Sequence, residues 1–414
     1  MALAGLAPAE IVARTGVTLR EVERILRAPG VLPERAPLRA DPGEMERLLA
    51  GVPEPLSDLD HVPATAETVL ARVRYLHEHY ELERCRVLLL GDHDATSLAF
   101  GVVGAAVREL AVVDVDQRQL RYLAAHGVDT WFADLRVGLP APLRDRFDIV
   151  LTDPPYSPAG IGLFAARALE AMRRESRLLV AYGDPEGSPA LGLKVQHELS
   201  ALELVYEALL PDFNAYDGAL AIGSRAALYV LRPTKRSRKI AVRRGERHAD
   251  ALYTRGRQAI EAGGASRPDL AGFEGDRDAL YFGPGFKRPL SELLEAPRPA
   301  GTVYVNLAPD LVYSLYQAAV AAVAERVVIV AHNHTEGLRN AEEQALLRAV
   351  VAPRYEVVQL ARSWKGTAFS LVELRGSGAA RDERAVYREA TSTVIANDAS
   401  GAPQLSSDAG ASVP

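Results

Sequence analysis

Between residues 64 and 232 the chain alternates short apolar runs with helix-like stretches, and the first four apolar runs each close on an aspartate. That alternation limits the fold more than any other feature. Leucine- and valine-rich runs of five to seven residues suit strands buried on both faces, and the helices between them are the crossovers that parallel strands need. The helix ATAETVLARVRYLHEHY precedes the strand RVLLLG (86–91), and a helix from Thr96 follows. Then come the strand LAVVDVD (110–116), the helix QRQLRYLAAHG, the strand TWFAD (130–134), the run DIVLTDPPY (148–156) and the helix GIGLFAARALEAMR. RLLVAYG (177–183), a helix around 191–202 and ALYVLRP (227–233) complete the set. The pattern predicts an α/β, doubly wound, Rossmann-like sheet. In such a sheet ligands bind beyond the carboxyl ends of the strands, near the switch point.

The flanks are less regular. A length of 414 residues predicts two or three domains. Residues 1–62 read as a small head. Within it APAEIVARTGVTLREVERILRA (7–28) has helix-turn-helix spacing with Thr18 as an N-cap, and a Pro- and acid-rich linker surrounds a short helix at 44–49. The second of those helices mixes acids with bases, which argues against DNA contact. The catalytic candidate is 63–233. Residues 234–300 read as a basic linker and loop region, opened by the run PTKRSRKIAVRRGERH from 233; a solvated linker is the first reading and an anionic or RNA contact the second. Residues 301–375 repeat the order strand, helix, strand, helix, strand, strand, a half-repeat without a clear copy of the glycine or acid motifs. Residues 376–414 are rich in Ala, Ser, Gly and Asp and read as a disordered tail.

The net charge of −6 argues against a surface built for nucleic acid, and the single Cys85 leaves no intrachain disulfide within these residues. No apolar run reaches the roughly 18 residues of a membrane span, and the N-terminus lacks a signal-peptide pattern, so a cytoplasmic location is expected. His332 and His334 with Glu336 resemble a metal pair, but no third distant ligand is evident and no metal is expected.

The strand ends carry the chemistry. Gly91-Asp92-His93-Asp94 follows the first strand, where a dinucleotide or S-adenosylmethionine enzyme would carry a glycine-rich turn. Two carboxylates and an imidazole there favour a cationic ligand over a pyrophosphate. Asp114, with Asp116 as second choice, is placed to take ribose hydroxyls. Asp134, beside Leu135, is placed to accept from an adenine amine. Asp153-Pro154-Pro155-Tyr156 forms a stiff turn that can present a carboxylate and an aromatic face to an amine. Such a turn marks amino-group alkyltransferases, including those acting on nucleic-acid bases. Asp212-Phe213-Asn214-Ala215-Tyr216-Asp217 reads as a loop before the last strands, with acids and aromatics suited to a flexible cation.

These residues resemble the branched-chain polyamine synthases, which transfer aminopropyl groups from decarboxylated S-adenosylmethionine to an internal nitrogen of spermidine. The resemblance covers roughly 63–232. It runs through Thr65-Ala66-Glu67-Thr68, Ala71-Arg72-Val73, Gly91-Asp92-His93-Asp94, Val113-Asp114-Val115-Asp116, Asp134-Leu135-Arg136, Thr152-Asp153-Pro154-Pro155 and Phe213-Asn214 with Tyr216. It implies a class I methyltransferase-like fold and a transferase of polyamine biosynthesis. The donor would be decarboxylated S-adenosylmethionine, or S-adenosylmethionine itself, held by Gly91, Asp92, Asp114, Asp116, Asp134 and Leu135. The amine would meet Glu67, Pro154, Pro155, Phe213, Asn214 and Tyr216. His93 or Asp94 would take its proton, and Asp153 and Tyr156 would position it. The family motif is Gly-Asp-Asp-Asp, so His93 stands where a central acid is implied in catalysis; an imidazole can serve there as a base near neutral pH. The family's N-terminal Cys pair is absent. Two other readings stay open: an S-adenosylmethionine-dependent methyl- or carboxy-aminopropyltransferase, and a DNA-binding regulator that senses a ligand. The partner is a small amine or polyamine, nucleic acid and membrane are not expected, and a homodimer stays open.

Overall fold

The structure, a computed structural model, describes residues 41–183, 189–217, 224–245, 278–295, 300–308, 314–335, 337–377 and 382–397, with a few isolated positions besides. The first unit runs α1 (Pro42–Leu49), α2 (Ala66–His79), β1 (Arg86–Leu90), α3 (Thr96–Val103), β2 (Glu109–Asp114), α4 (Gln117–Ala125) and β3 (Asp129–Phe132). It continues β4 (Phe147–Thr152), α5 (Pro158–Ala171), β5 (Met172–Tyr182), α6 (Pro189–Ala201), β6 (Leu204–Ala215), β7 (Arg225–Pro233) and α7 (Ser237–Gly245). The seven strands lie in the order β3-β2-β1-β4-β5-β7-β6, parallel except for β7 and β6. This is the doubly wound sheet expected from the sequence, with its switch point between β1 and β4. Leu88, Leu89 and Leu90 of β1 and Val112 and Val113 of β2 are all buried, as strands covered on both faces must be.

Capping fixes the helices that carry the site. Thr65 accepts from the Thr68 N–H at the start of α2, and Asp116 accepts from the Arg118 N–H at the start of α4. In α5, Pro158 takes the first turn and Ser157 accepts from the Gly160 N–H. Gly160 is required sterically, because a Cβ there would lie 2.5 Å from the Pro155 carbonyl oxygen. The Asp153–Tyr156 turn is thereby pressed against the first turn of α5.

A second unit runs β8 (Leu280–Phe282), α8 (Leu290–Glu295), β9 (Ala300–Asn306), α9 (Ser314–Ala321), β10 (Ala324–His332), α10 (Ala341–Val351), β11 (Tyr355–Ala361), β12 (Phe369–Gly376) and α11 (Glu383–Asn397). Its sheet order is β11-β12-β10-β9-β8. β9 is parallel to β10 and to β8, β12 is antiparallel to β10, and β11 is antiparallel to β12. Those relations match β4, β5, β7 and β6, with β8 in the place of β1. The glycine motif, absent to the eye in sequence, has a positional copy. Leu90 pairs with Thr152 and Phe282 with Val305, so Gly283 follows β8 as Gly91 follows β1, both with positive φ.

Four expectations change. Residues 212–215 are not a loop but the end of β6, whose register with β7 shifts between Leu210 and Asn214. Pro211 hides this in sequence, yet an edge strand tolerates it. The basic run from 233 includes α7, which packs on α5 through buried Ala241, its charges paired outward as Arg238–Asp145 and Arg244–Glu198. The second unit starts at β8 and α8, within 234–300, rather than at 301. The tail contains α11, whose Val386, Tyr387, Ala390 and Val394 are buried on one face. The helix-turn-helix expected over 7–28 lies, but for Val22 and Ile25, outside the described residues. Among the described residues no helix is long and apolar enough to cross a membrane.

Candidate active site

The carboxyl ends of β1, β2, β3 and β4 surround a cleft of about 560 Å³, open mouth included. It is lined by Gly91, His93, Val113, Asp114, Val115, Ala133, Leu135, Asp153, Pro155 and Phe164, together with Leu59, Asp60 and His61 from the segment before α2. Three carboxylates and two imidazoles thus face the cleft, and among the described residues no lysine or arginine does. Its electrostatic character suits a cation.

Behind the wall lies a buried arginine. Arg72, on α2, is 0% exposed. Its Nε donates to Asn214 Oδ1 at 2.8 Å, Nη1 to Asp94 Oδ2 at 2.5 Å and Thr96 Oγ1 at 3.1 Å, and Nη2 to Asp153 Oδ2 at 2.6 Å and Tyr216 OH at 3.5 Å. Burial disfavours the charged guanidinium, but Asp94 and Asp153 outweigh it and hold Arg72 firmly protonated. Burial likewise works to raise the Asp94 carboxyl, and Arg72, with His93 and Thr96, brings it below its usual value. Asp153 also accepts from Tyr156 OH at 2.9 Å and Tyr216 OH at 2.7 Å, and the two phenols lie 2.7 Å apart. Burial, then Asp153, pushes both phenols well above their ordinary range, so they stay protonated.

His93 is fixed as well. Its Nε2 lies 2.8 Å from the Val62 carbonyl oxygen, which can only accept, so Nε2 carries the proton and Nδ1 the lone pair in the neutral ring. The ring stacks on His61 at 4.7 Å and 8°. Burial, with His93 and Arg118 nearby, lowers the His61 imidazole to about 2, so it is neutral.

The remaining candidates separate into those on the cleft and those off it. Asp114 lines it, and accepts from the amides of Asp92, Val115 and Asp116. Asp92 does not line it: its carboxyl is buried against the Ser97 N–H of α3, and burial raises it well above the carboxylate range. Asp94 is turned to Arg72 and is off the wall. Asp116 caps α4 and pairs with Arg118 at 2.8 Å. Asp134 takes both Nε and Nη2 of Arg136, the latter at 2.5 Å, rather than facing the cleft. Gly91, Leu135 and Pro155 line the cleft, and Pro154 is buried in the turn. Asn214 is buried on Arg72, Phe213 packs edge-on against Tyr75, and Glu67 is exposed in the first turn of α2. His332 and His334 stack 4.1 Å apart at the end of β10, Glu336 lies outside the described residues, and among those described no cluster of three metal-ligating side chains occurs.

Sequence reasoning missed the central role of Arg72 and the contribution of Leu59, Asp60 and His61. A signal existed for the first: Arg72 stands three residues after Val69 and four before Leu76, on the apolar stripe of α2, where a lone arginine implies a buried ion pair. None existed for the second, because the segment before α2 has no periodicity.

The fold and the cleft together define a Rossmann-like α/β protein of the class I methyltransferase kind, with an acidic ligand site at the switch point. The family model for the branched-chain polyamine synthase A C-terminal domain matches residues 45–253, half of the chain. The chain therefore belongs to the branched-chain polyamine synthase family. An uncharacterized protein of Methanocaldococcus jannaschii is 35% identical over 178 residues, covering 41% of this chain and 45% of that one. An N(4)-bis(aminopropyl)spermidine synthase of Thermus thermophilus is 37% identical over 155 residues, covering 35% of this chain and 44% of that one. The matches thus span less than half the length of these relatives. Among solved structures, the Thermus thermophilus branched-chain polyamine synthase in complex with N4-aminopropylspermidine and 5′-methylthioadenosine is 27% identical. It covers 50% of this chain and 71% of that chain, with a TM-score of 0.41.

Proposed function

We propose that this protein transfers a 3-aminopropyl group from decarboxylated S-adenosylmethionine to an amine of a polyamine. The observation that carries the choice of donor is the pairing of the arginines. An intact S-adenosylmethionine brings a carboxylate, and the arginines at the strand ends, Arg72, Arg118 and Arg136, are each committed to aspartates. Among the described residues the ionisable groups of the cleft lining are carboxylates and imidazoles, which favours the decarboxylated donor and its terminal ammonium.

Transfer forms one C–N bond and breaks one C–S bond, releasing methylthioadenosine and a proton. Asp114 retains about one acceptor site, on Oδ2, for a ribose hydroxyl beyond the three amides it already accepts. Asp153, held in place by Arg72 and two phenols, presents its carboxylate to the amine and to the charge that develops on it. Pro154 and Pro155 stiffen that turn, Tyr156 and Tyr216 donate hydrogen bonds to Asp153, and Phe213 and Asn214 support the wall behind. The proton leaves to His93 Nδ1, because Asp94 is locked against Arg72 away from the cleft; Asp94 is a positioning residue. We also place the protein in the cytoplasm, with a homodimer as the assembly to be tested by light scattering.

The test is incubation with spermidine and each donor in turn, read by mass spectrometry. Aminopropyl adducts are expected with decarboxylated S-adenosylmethionine only. A methylated or carboxy-aminopropylated product from the intact donor, with no aminopropyl adduct, would sink the proposal.

A further inference from the structure

The wall of the cleft formed by residues 133–139 is braced from the second sheet. Ala133 and Leu135 line the cleft, and the backbone of this stretch is held on three sides. The Ala133 N–H donates to the Asp114 carbonyl at 3.0 Å, and Arg167 Nε of α5 donates to the Leu135 carbonyl at 2.7 Å. The third hold is Gln317, buried on α9. Its Oε1 accepts from the Asp134 N–H at 2.9 Å, and its Nε2 donates to the Gly138 carbonyl at 2.8 Å. Only one amide orientation satisfies both partners, since an N–H cannot accept and a carbonyl cannot donate. Gln317 therefore spans the turn closed by the Val137 and Gly138 amides on the Asp134 carbonyl. Neighbours from the same unit press on it: Tyr316 lies edge-on to Phe132 at 6.2 Å, and a Cβ on Gly138 would come within 2.8 Å of Leu294. The match to the family model stops at residue 253, so all these groups of the second unit lie beyond it.

We infer that Gln317 is a positioning residue for the donor: by clamping residues 133–139 it sets the wall against which the donor's nucleoside lies, which makes the C-terminal unit part of the donor site. The inference rests on the donor assignment above. A glutamine with two buried backbone partners cannot be replaced by an apolar side chain without leaving both unsatisfied, and the turn must then shift to recover them.

The test uses the full chain and 5′-methylthioadenosine as probe, with Gln317→Leu and, as a control for general loss of stability, Val350→Ala on the buried face of α10. Binding by calorimetry is expected to weaken roughly tenfold in Gln317→Leu and to stay within twofold of wild type in Val350→Ala. In kinetics, KM for the donor rises by a similar factor, while KM for the amine and kcat stay within twofold. Equal affinity in Gln317→Leu and wild type overturns the inference alone. An equal loss in Val350→Ala overturns it too, since the effect would then be general softening. A wild-type chain that binds no methylthioadenosine overturns the donor assignment and this inference together.

Discussion

Arg72 has five N–H groups, and five acceptors surround them, drawn from α2's neighbours at the ends of β1, β4 and β6 and the segment beyond β6. At this scale the strand-end aspartates were readable, because each follows an apolar run; their partners were not. Asp92, Asp94, Asp114, Asp134 and Asp153 look equivalent in sequence, yet two of them face the cleft, two are turned onto arginines and one is buried. Asp134 is turned by Arg136 two residues on, but Asp94 and Asp153 are held by Arg72, 22 and 81 residues away, which no local pattern records. Two consequences can be measured. Asp92 has its carboxyl raised by burial first and by Asp94 second, so the folded state binds a proton that the unfolded state releases above about pH 4. Its ionisation therefore costs stability as pH rises from that value. Asp92→Asn is expected to be more stable than wild type in urea denaturation at pH 7, with the gap closing near pH 4; a variant less stable at both values contradicts this. His93→Gln is expected to lower kcat on the order of 10²-fold or more, as loss of a general base does, with methylthioadenosine affinity within twofold of wild type. Unchanged kcat would remove His93 from the mechanism.

The elements were the most legible level, since buried parallel strands and crossover helices have distinct periods. β6, α7, β8, α8 and α11 were the exceptions. β6 is an edge strand with Val205, Tyr206 and Leu209 exposed and a proline inside it, so its pattern is that of a loop. α11 is short on aliphatic residues, and its stability comes from tertiary contacts rather than propensity. Its Arg384 and Arg388 lie 5.9 and 5.7 Å from the ring centre of Trp131, Arg388 pairs with Asp129, and Thr391 Oγ1 accepts from the Phe132 N–H. α11 thus seals the β3 edge of the first sheet while packing on α10 of the second unit. A chain ending at residue 381 is expected to lose several kcal/mol of stability, from the burial of Val386, Tyr387 and Val394 alone at about 1.5–3 kcal/mol per large apolar side chain. Its Trp131 emission should shift to the red as the indole meets water. A truncated chain with unaltered emission and melting temperature would show that α11 seals nothing.

Among the described residues, one large apolar cluster runs from Met45 to Ile395 and takes in a face of both sheets, with a smaller separate cluster around Tyr304, Val328 and Val330 on the second sheet. Domain boundaries drawn on composition divide what packing unites. We expect calorimetry to show one unfolding transition with equal calorimetric and van't Hoff enthalpies, and two separated transitions would refute a shared core. The second sheet keeps the strand order of the first but not its opening. A Cβ on Gly283 would lie 2.1 Å from the Asn306 carbonyl, where one on Gly91 would meet nothing nearer than Phe164 at 3.7 Å. The copy has closed over its own crevice and serves the original as a brace.

The shared guanidinium also bears on how such a site can change over generations. Losing Arg72 leaves both Asp94 and Asp153 without their cation in the interior, a penalty on the order of 3–5 kcal/mol that few chains of this size can absorb. Arg72 can therefore change only together with its aspartates. His93 has no share in that lock, since it is tied to the Val62 carbonyl and stacked on His61. Replacing the residue in the mouth strands no buried charge, so its cost falls on the chemistry, whereas replacing the arginine behind it costs the fold.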